Sequence, residues 1–297
     1  MNTEEPHWME PSPEPSPEFL PVEPSEWPTY TPPAPRYLPN FAHALLFFAI
    51  AAPVMVVGQF LAIYLLQASH LFGHKSFAAL ATIAATDARY SIPVQAFSYL
   101  LMILVIAPVF SVIWHERFAD GVHWNAPVAR QRFLWMAGLG LAVGFGITLI
   151  GNFLPMPADP PIMKDMMKSP LGAWMILVFG TTGAPIIEEL AFRGFLLPGI
   201  LNLFRARASE TTVQTVGIPV SILLASIPFV LLHAAQVSKA WGPLLLIGLV
   251  SIVLCIVRLA LKSVAAGVVV HAAYNFSLFA GVLAQTDGFR HLEKLTS

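Results

Sequence analysis

The sequence predicts an all-α protein: a polytopic bundle of seven to eight transmembrane helices that follows a disordered, proline-rich amino-terminal tail. Of the 297 residues, 56% are hydrophobic and only 11% are charged, whereas soluble domains carry roughly 25% charged residues. The hydrophobic residues gather in runs close to the ~20 residues that a helix needs to cross a hydrocarbon core. Because backbone groups find no water there, helices are the expected spanning elements.

The tail, residues 1–39, has a composition unlike that of the rest of the chain. It contains proline every few positions, seven glutamates and one basic residue, Arg36. Proline removes backbone donors and blocks helix formation, so we expect an extended, disordered arm. It lacks the basic start and apolar centre of a secretory signal. We divide the remainder into residues 40–171, 172–285 and a carboxyl-terminal tail, 286–297.

Seven apolar runs predict the spans. Residues 77–92 are also apolar but contain Asp87 and Arg89, so they predict an interfacial helix or an eighth short span. The predicted spans cover residues 41–67, 93–114, 133–154, 172–200, 216–235, 241–257 and 263–284.

The basic residues barely determine the orientation in the bilayer, because lysine and arginine are almost equally numerous on the two sides. The cluster of Arg117, Arg130 and Arg132 between two spans favours a cytoplasmic amino terminus. A net charge of -1 gives nucleic acid no basic surface, so we expect no nucleic-acid partner. The apolar composition makes the lipid bilayer the expected partner.

The fourth span contains three charges within "PIIEELAFRGFLLPGIL", residues 185–201. Each ionisable group in a bilayer costs roughly 2.5–3.5 kcal/mol on insertion scales, so such groups are usually paired and functional. Glu189 and Arg193 are four residues apart and share a helix face, where they would lock the helix. Glu188 points about 100° away, and a second carboxylate in different surroundings suits a general base. Pro185, one turn earlier, predicts a kink.

Two further spans contain polar residues at helical spacing. His233 lies four residues after Phe229, and Asn275 lies four residues after His271. Burying such groups separately would leave many hydrogen bonds unmade. We therefore expect them to face one internal polar cavity together with the acids of the fourth span.

Several kinds of active site are missing from the sequence. There is no GxSxG or HExxH pattern, and the single cysteine, Cys255, has no polar neighbours. Glu188, His233 and His271 could form a two-histidine, one-carboxylate zinc shell, but ligands from three distant spans are a weak signal. We therefore expect no cofactor and no metal.

Direct hydration of a peptide bond fits the residues better. Glu188, helped by His233, would deprotonate a water that attacks the carbonyl carbon. His271 and Asn275 would donate hydrogen bonds to the developing oxyanion, each worth a factor of roughly 10²–10³ in rate.

Three short segments resemble the motifs of a known family. "EELAFRG" resembles EExxxR, "FVLLH" (229–233) resembles FxxxH and "HAAYN" (271–275) resembles HxxxN. These are the motifs of the CPBP (Abi) family of CAAX-prenyl proteases and bacteriocin-processing or self-immunity membrane proteins. They occur once each, in the family's order, and the resemblance covers roughly residues 172–285.

The resemblance implies a membrane-embedded endopeptidase of the CAAX-protease type, either glutamic or metal-dependent, with a peptide or protein substrate that reaches the membrane. Eukaryotic members remove the last three residues of prenylated proteins, and bacterial members act on other peptides. We accordingly expect a multi-pass protein of a bacterial inner membrane. The residues to which the resemblance gives a catalytic or supporting role are Glu188, Glu189, Arg193, His233, His271 and Asn275.

Two non-enzymatic functions remain as alternatives. A membrane scaffold or bacteriocin-immunity protein could use the same fold to bind a partner, although binding alone does not require all the motif residues. A proton-coupled transporter could use a Glu–His cluster at mid-membrane, but the sequence lacks the internal repeat that is typical of such proteins.

Overall fold

The computed structural model describes residues 37–71, 73–156 and 168–295. Within these ranges every regular element is helical and no strand occurs, as the composition predicts. The predicted disordered tail lies outside the described residues except for Tyr37–Pro39.

Seven helical segments in the described part of the chain are long and apolar enough to cross a membrane. The first three are Phe41–Ser69 (α1), Ala88–Trp114 (α3) and Phe133–Gly151 (α6). The last two are Trp241–Leu261 (α12) and Val264–Gln285 (α13).

The fourth and fifth segments are composite. The fourth, Pro170–Arg205, consists of Pro170–Thr181 (α7), Gly183–Glu189 (α8), a π-helical segment Leu190–Leu196 and Leu197–Arg205 (α9). The fifth, Glu210–His233, consists of Glu210–Thr212 (α10), a π-helical turn Val213–Gly217 and Ile218–His233 (α11).

The short helices lie between spans. Phe77–Thr86 (α2) has 10 residues and is therefore about 15 Å long, too short to cross a membrane alone. The eighth-span alternative for residues 77–92 is therefore wrong, and the described residues contain seven spans. The other short helices are Phe118–Gly121 (α4), Ala126–Gln131 (α5) and a closing 3-10 turn, Leu292–Leu295.

The second span begins at Ala88, five residues before the position that we predicted from Pro93. Asp87 causes the difference, because its carboxylate accepts a hydrogen bond from the Arg89 backbone N–H at 2.9 Å and so caps α3. The same carboxylate pairs with the Arg89 guanidinium at 2.6 Å. That side-chain hydrogen bond lowers the pKa of Asp87.

Packed aromatic rings hold the π-helical segment against α1 and α3. Phe195 stacks on Phe47 with ring centroids 4.3 Å apart and meets Phe110 edge-on at 4.7 Å. Trp114 packs against the same ring at 5.7 Å. All four side chains are almost completely buried, so the charged span is fixed from this side by apolar contacts.

Helices α6 and α13 approach closely through two glycines in a GxxxG arrangement. A methyl group at Gly140 would overlap the Val270 carbonyl oxygen and lie 2.7 Å from the Ala273 Cβ. At Gly144 it would overlap the Ser277 hydroxyl. Small residues at this spacing let membrane helices pack backbone to backbone, and this contact holds α13, which carries two motif residues.

We expect Gly140→Ala to lower the thermal stability of the protein in detergent, because a backbone carbonyl cannot move aside as a side chain can. Overpacking of this kind costs roughly 1–3 kcal/mol. Gly146→Ala is the matched control, since nothing lies within 4 Å of a methyl group at that position of the same helix. Melting temperatures that are equal for the two variants would contradict the close approach of α6 and α13.

Candidate active site

The fourth span is interrupted at Thr182, before the first acid of the motif. Helix α7 ends at Thr181, α8 begins at Gly183, and Thr182 has a non-helical backbone (φ −128°, ψ −78°). Pro185 lies in the first turn of α8, where a missing N–H removes no helical hydrogen bond. The break therefore precedes the position that we predicted from Pro185.

A π-helical segment follows the second acid directly. The Leu197 N–H bonds to the Phe192 carbonyl, five residues back, and Pro198 has no N–H. The Arg193 carbonyl therefore has no donor at either helical spacing. Its partner is the Arg258 Nε of α12, which donates at 3.0 Å. Single π turns are frequent at functional sites, and here one exposes a carbonyl to a neighbouring helix.

The buried ion pair between Glu189 and Arg193 has the spacing that the sequence predicts. Arg193 Nη1 lies 3.0 Å from Glu189 Oε1, and both side chains are completely buried. Arg193 Nη2 donates to the carbonyl and the hydroxyl of Ser251 at 3.0 and 2.8 Å, and this hydroxyl donates to Ser226 Oγ at 2.9 Å. The guanidinium also lies 4.5 Å from the Phe229 ring centre. The pair thus ties the fourth span to α11 and α12.

His271 binds the same carboxylate oxygen. Its Nδ1 lies 3.0 Å from Glu189 Oε1, so that this oxygen accepts from both Arg193 and His271. With the Nδ1 proton committed to Glu189, the neutral His271 ring presents an unprotonated Nε2 to its other side. Only the imidazolium form has a hydrogen-bond donor at Nε2.

Glu188 points in a different direction from Glu189, as the rotation of about 100° between adjacent helix positions predicts. Its Oε2 lies 3.7 Å from His271 Nε2 and 3.8 Å from His233 Nε2. The Glu188 side chain is 22% exposed, whereas that of Glu189 is fully buried. His233 Nδ1 donates to the Phe229 carbonyl at 2.8 Å, so neutral His233 presents a lone pair at Nε2. Distances above 3.5 Å are too long for direct hydrogen bonds but short enough for a bridging water.

Asn275 has a structural partner that the sequence did not predict. Its amide nitrogen donates to the Gly180 carbonyl at 2.7 Å, one of the carbonyls in the last turn of α7 that have no helical partner. The bond joins α13 to α7 near the break at Thr182. A side-chain amide has two N–H groups, and Asn275 also lines the cavity described next.

A cavity of about 610 Å³ brings Glu188, His233, His271 and Asn275 together. Aromatic and aliphatic side chains form most of its wall. It extends to the end of the bundle where α6 and α11 end, since Asn152 and Gln236 also line it. That end is opposite the one at which α1 begins.

The sequence analysis did not identify two polar residues of this cavity, Gln95 and Tyr99. Both lie on α3, and Gln95 Nε2 donates to the Tyr99 hydroxyl oxygen at 2.9 Å. Because the oxygen accepts this bond, the hydroxyl hydrogen is available to another acceptor. The only sequence signal was their spacing of four residues, since α3 has no family motif.

A metal site was the alternative to direct hydration. Within the described residues no three histidine, cysteine or acidic side chains are arranged to hold a metal ion.

Comparison with known proteins agrees with the motifs. Residues 170–277 match the model of a family described as Rce1-like, type II CAAX prenyl endopeptidase. Over this segment the chain is similar to that family. The match contains all three motifs and confirms the CAAX-protease resemblance. Searches of curated proteins and of solved structures gave no match. This match and the seven apolar helical segments support an integral, multi-pass membrane protein.

We expect Gly267→Ala to disturb the buried carboxylate. A methyl group at Gly267 of α13 would lie 2.7 Å from Glu189 Oε2, and Glu189 is enclosed on all sides. The substitution should lower the free energy of unfolding by roughly 1–3 kcal/mol, which is typical of overpacking. The melting temperature in detergent should therefore fall. Gly281→Ala on the same helix is the control, because nothing lies within 4 Å of its methyl group. A Gly267→Ala protein as stable as this control would show that Glu189 has room to move.

Proposed function

We propose that the protein is an intramembrane endopeptidase that hydrolyses a peptide bond with a water activated by Glu188. One observation carries the proposal: Glu188 Oε2 lies within 3.8 Å of the Nε2 atoms of His233 and His271, which come from two different helices. These three atoms face a cavity large enough for part of a peptide. The Rce1-like match supplies the class of reaction.

Glu188 and His233 together orient the attacking water. The water donates one hydrogen to the Glu188 carboxylate and the other to the unprotonated His233 Nε2, which leaves an oxygen lone pair for the carbonyl carbon. The bond from His233 Nδ1 to the Phe229 carbonyl keeps the ring in this tautomer. Glu188 takes the proton as the C–O bond forms, and then delivers it to the leaving amine nitrogen.

His271 and Asn275 stabilise the oxyanion of the tetrahedral intermediate. His271 can donate from Nε2 only as an imidazolium, because its Nδ1 proton is held by Glu189. The Glu189 carboxylate then provides the counter-charge. Asn275 donates the amide hydrogen that the Gly180 carbonyl does not use. Donors fixed in this way before the reaction require little reorganisation.

The substrate is a peptide or protein segment that enters the cavity from the membrane surface at the Asn152 and Gln236 end. The apolar wall suits a hydrophobic side chain or an attached lipid, in line with the prenylated substrates in the family description. With the amino terminus in the cytoplasm of a bacterial cell, as the arginine cluster favours, this entrance lies on the outer side of the inner membrane.

The alternatives explain the site less well. A scaffold or immunity protein needs a binding surface, but not a carboxylate placed between two histidines and backed by a second, buried carboxylate. A transporter would also use a broken helix such as the one at Thr182. It would require a proton path across the bundle, whereas the cavity at Glu188 extends to one end.

We expect Glu188→Gln to abolish hydrolysis while leaving the fold intact. The amide keeps the shape of the side chain but cannot accept the proton of the water, and loss of such a base typically costs 10²–10⁴ in rate. The measurement is quantitative proteomics of carboxyl termini in cells that produce the wild type or the variant. New termini should appear only with the wild type.

Glu189→Gln is the matched comparison, because it makes the same change one residue later. It leaves Arg193 buried without its counter-charge, which typically costs 3–5 kcal/mol, so its melting temperature should fall while that of Glu188→Gln does not. Full activity of Glu188→Gln would rule out the base assignment. Stoichiometric zinc in the purified protein, together with inactivation by a chelator, would favour metal-dependent hydrolysis instead.

Asn275→Asp should separate the oxyanion role from the link to Gly180. The aspartate has no N–H for either partner, so the variant loses both the bond to the Gly180 carbonyl and the proposed bond to the oxyanion. If Asn275 donates to the oxyanion, Asn275→Asp should lower kcat by roughly 10²–10³, well beyond any effect of a lower melting temperature. A loss of stability with unchanged kcat per folded molecule would assign Asn275 to the α7–α13 link alone.

A further inference from the structure

A second pocket, of about 240 Å³, lies at the end of the bundle opposite the entrance of the catalytic cavity. It is formed where α9 and α12 end, and three cationic side chains line it: Arg205, Arg258 and Lys262. His123 lines the same pocket. We call it the basic pocket. Neither the family match nor the proposed hydrolysis assigns it a function.

Within residues 37–71, 73–156 and 168–295, no carboxylate balances the positive charge of the basic pocket. Among the described residues no acidic side chain forms an ion pair with Arg205, Arg258 or Lys262. Arg205 Nη1 instead donates to the neutral Asn202 amide oxygen at 3.2 Å. Burial and the positive charges of Arg258 and Arg205 lower the pKa of His123, so this ring is neutral near pH 7 and can still donate a hydrogen bond.

Helix dipoles explain only part of this arrangement. Arg205 and Lys262 lie at the carboxyl-terminal ends of α9 and α12, and each such end provides about half a negative charge. The two helix ends together therefore offset about one of the three positive charges. Arg258 is only 6% exposed, and the one hydrogen bond that it makes within the described part of the chain goes from Nε to the Arg193 carbonyl. Its remaining donors have no acceptor among the residues that the structure describes, and a buried cation in that state requires an anion.

The position and the walls of the basic pocket indicate the kind of anion. The pocket lies at the ends of spanning helices, which is the depth of lipid headgroups. Beside the cations its wall is aliphatic, with Leu38, Leu197 and Leu201. A guanidinium presents paired N–H groups that suit phosphate oxygens. We propose that the basic pocket binds the phosphate of an anionic phospholipid headgroup.

The test measures retained lipid in full-length protein reconstituted into nanodiscs of phosphatidylglycerol and phosphatidylcholine. After detergent extraction, native mass spectrometry counts the phosphatidylglycerol molecules that stay bound. Wild type should retain about one. The double variant Arg205→Gln/Lys262→Gln should bind phosphatidylglycerol with roughly 10- to 30-fold lower affinity and therefore retain less of it. Each cation near the surface contributes a factor of about five to the affinity. Arg258 is left unchanged because it supports the Arg193 backbone.

Arg130→Gln/Arg207→Gln is the matched control, because it removes two exposed cations from the same end of the bundle but outside the pocket. Equal loss of phosphatidylglycerol from both double variants would overturn the proposal, since general surface charge would then explain binding. A second measurement compares melting temperatures of the wild type in nanodiscs. If inorganic phosphate in phosphatidylcholine nanodiscs raises the melting temperature as much as phosphatidylglycerol does, the ligand is a soluble phosphate and the lipid assignment is wrong.

The acidic amino-terminal segment is the competing occupant, because its seven glutamates precede Leu38 in the chain. In a full-length variant with these glutamates changed to glutamine, the proposal expects unchanged retention of phosphatidylglycerol. A clear increase would identify the chain's own carboxylates as the ligands of the basic pocket. The lipid measurement does not depend on peptidase activity, so it tests the basic pocket independently of the proposed hydrolysis.

Discussion

The site depends on the Glu189 carboxylate, which is buried without contact with water. One of its oxygens accepts from both Arg193 and His271, and Arg193 continues through Ser251 to Ser226. These bonds join the fourth span to three other helices. An isolated carboxylate would be very costly in such surroundings, so the surrounding helices must keep its partners in place. The contact with Glu189 also fixes the orientation of the His271 ring.

The π-helical segment extends this network to the other end of the bundle. It leaves the Arg193 carbonyl without a helical donor, and Arg258 supplies one. Arg258 therefore contacts the backbone of the residue whose side chain holds Glu189, while its own side chain lines the basic pocket. The two pockets lie at opposite ends of the bundle and share this chain of contacts. An anion bound at the basic pocket would balance a charge that also supports the active-site helix.

The features that could be predicted from the sequence are those set by helical periodicity and by the cost of buried charge. The Glu189–Arg193 contact follows from a spacing of four residues, and the different surroundings of Glu188 follow from a 100° rotation. The features that could not be predicted involve backbone groups. The donor for the Arg193 carbonyl comes from α12, and the acceptor for Asn275 comes from α7. Both depend on how the helices pack, which the sequence pattern does not give. Likewise, the start of α3 depends on the Asp87 cap rather than on hydrophobicity.

Charge balance connects the catalytic proposal with membrane insertion. Glu188, Glu189 and Arg193 together carry a net charge of about minus one when both acids are ionised. An imidazolium at His271 brings the group to neutrality, and it is also the form that can donate to an oxyanion from Nε2. A bilayer penalises net charge more than it penalises paired charges. The proposed mechanism therefore adds no net charge to the buried cluster beyond what its own groups can balance.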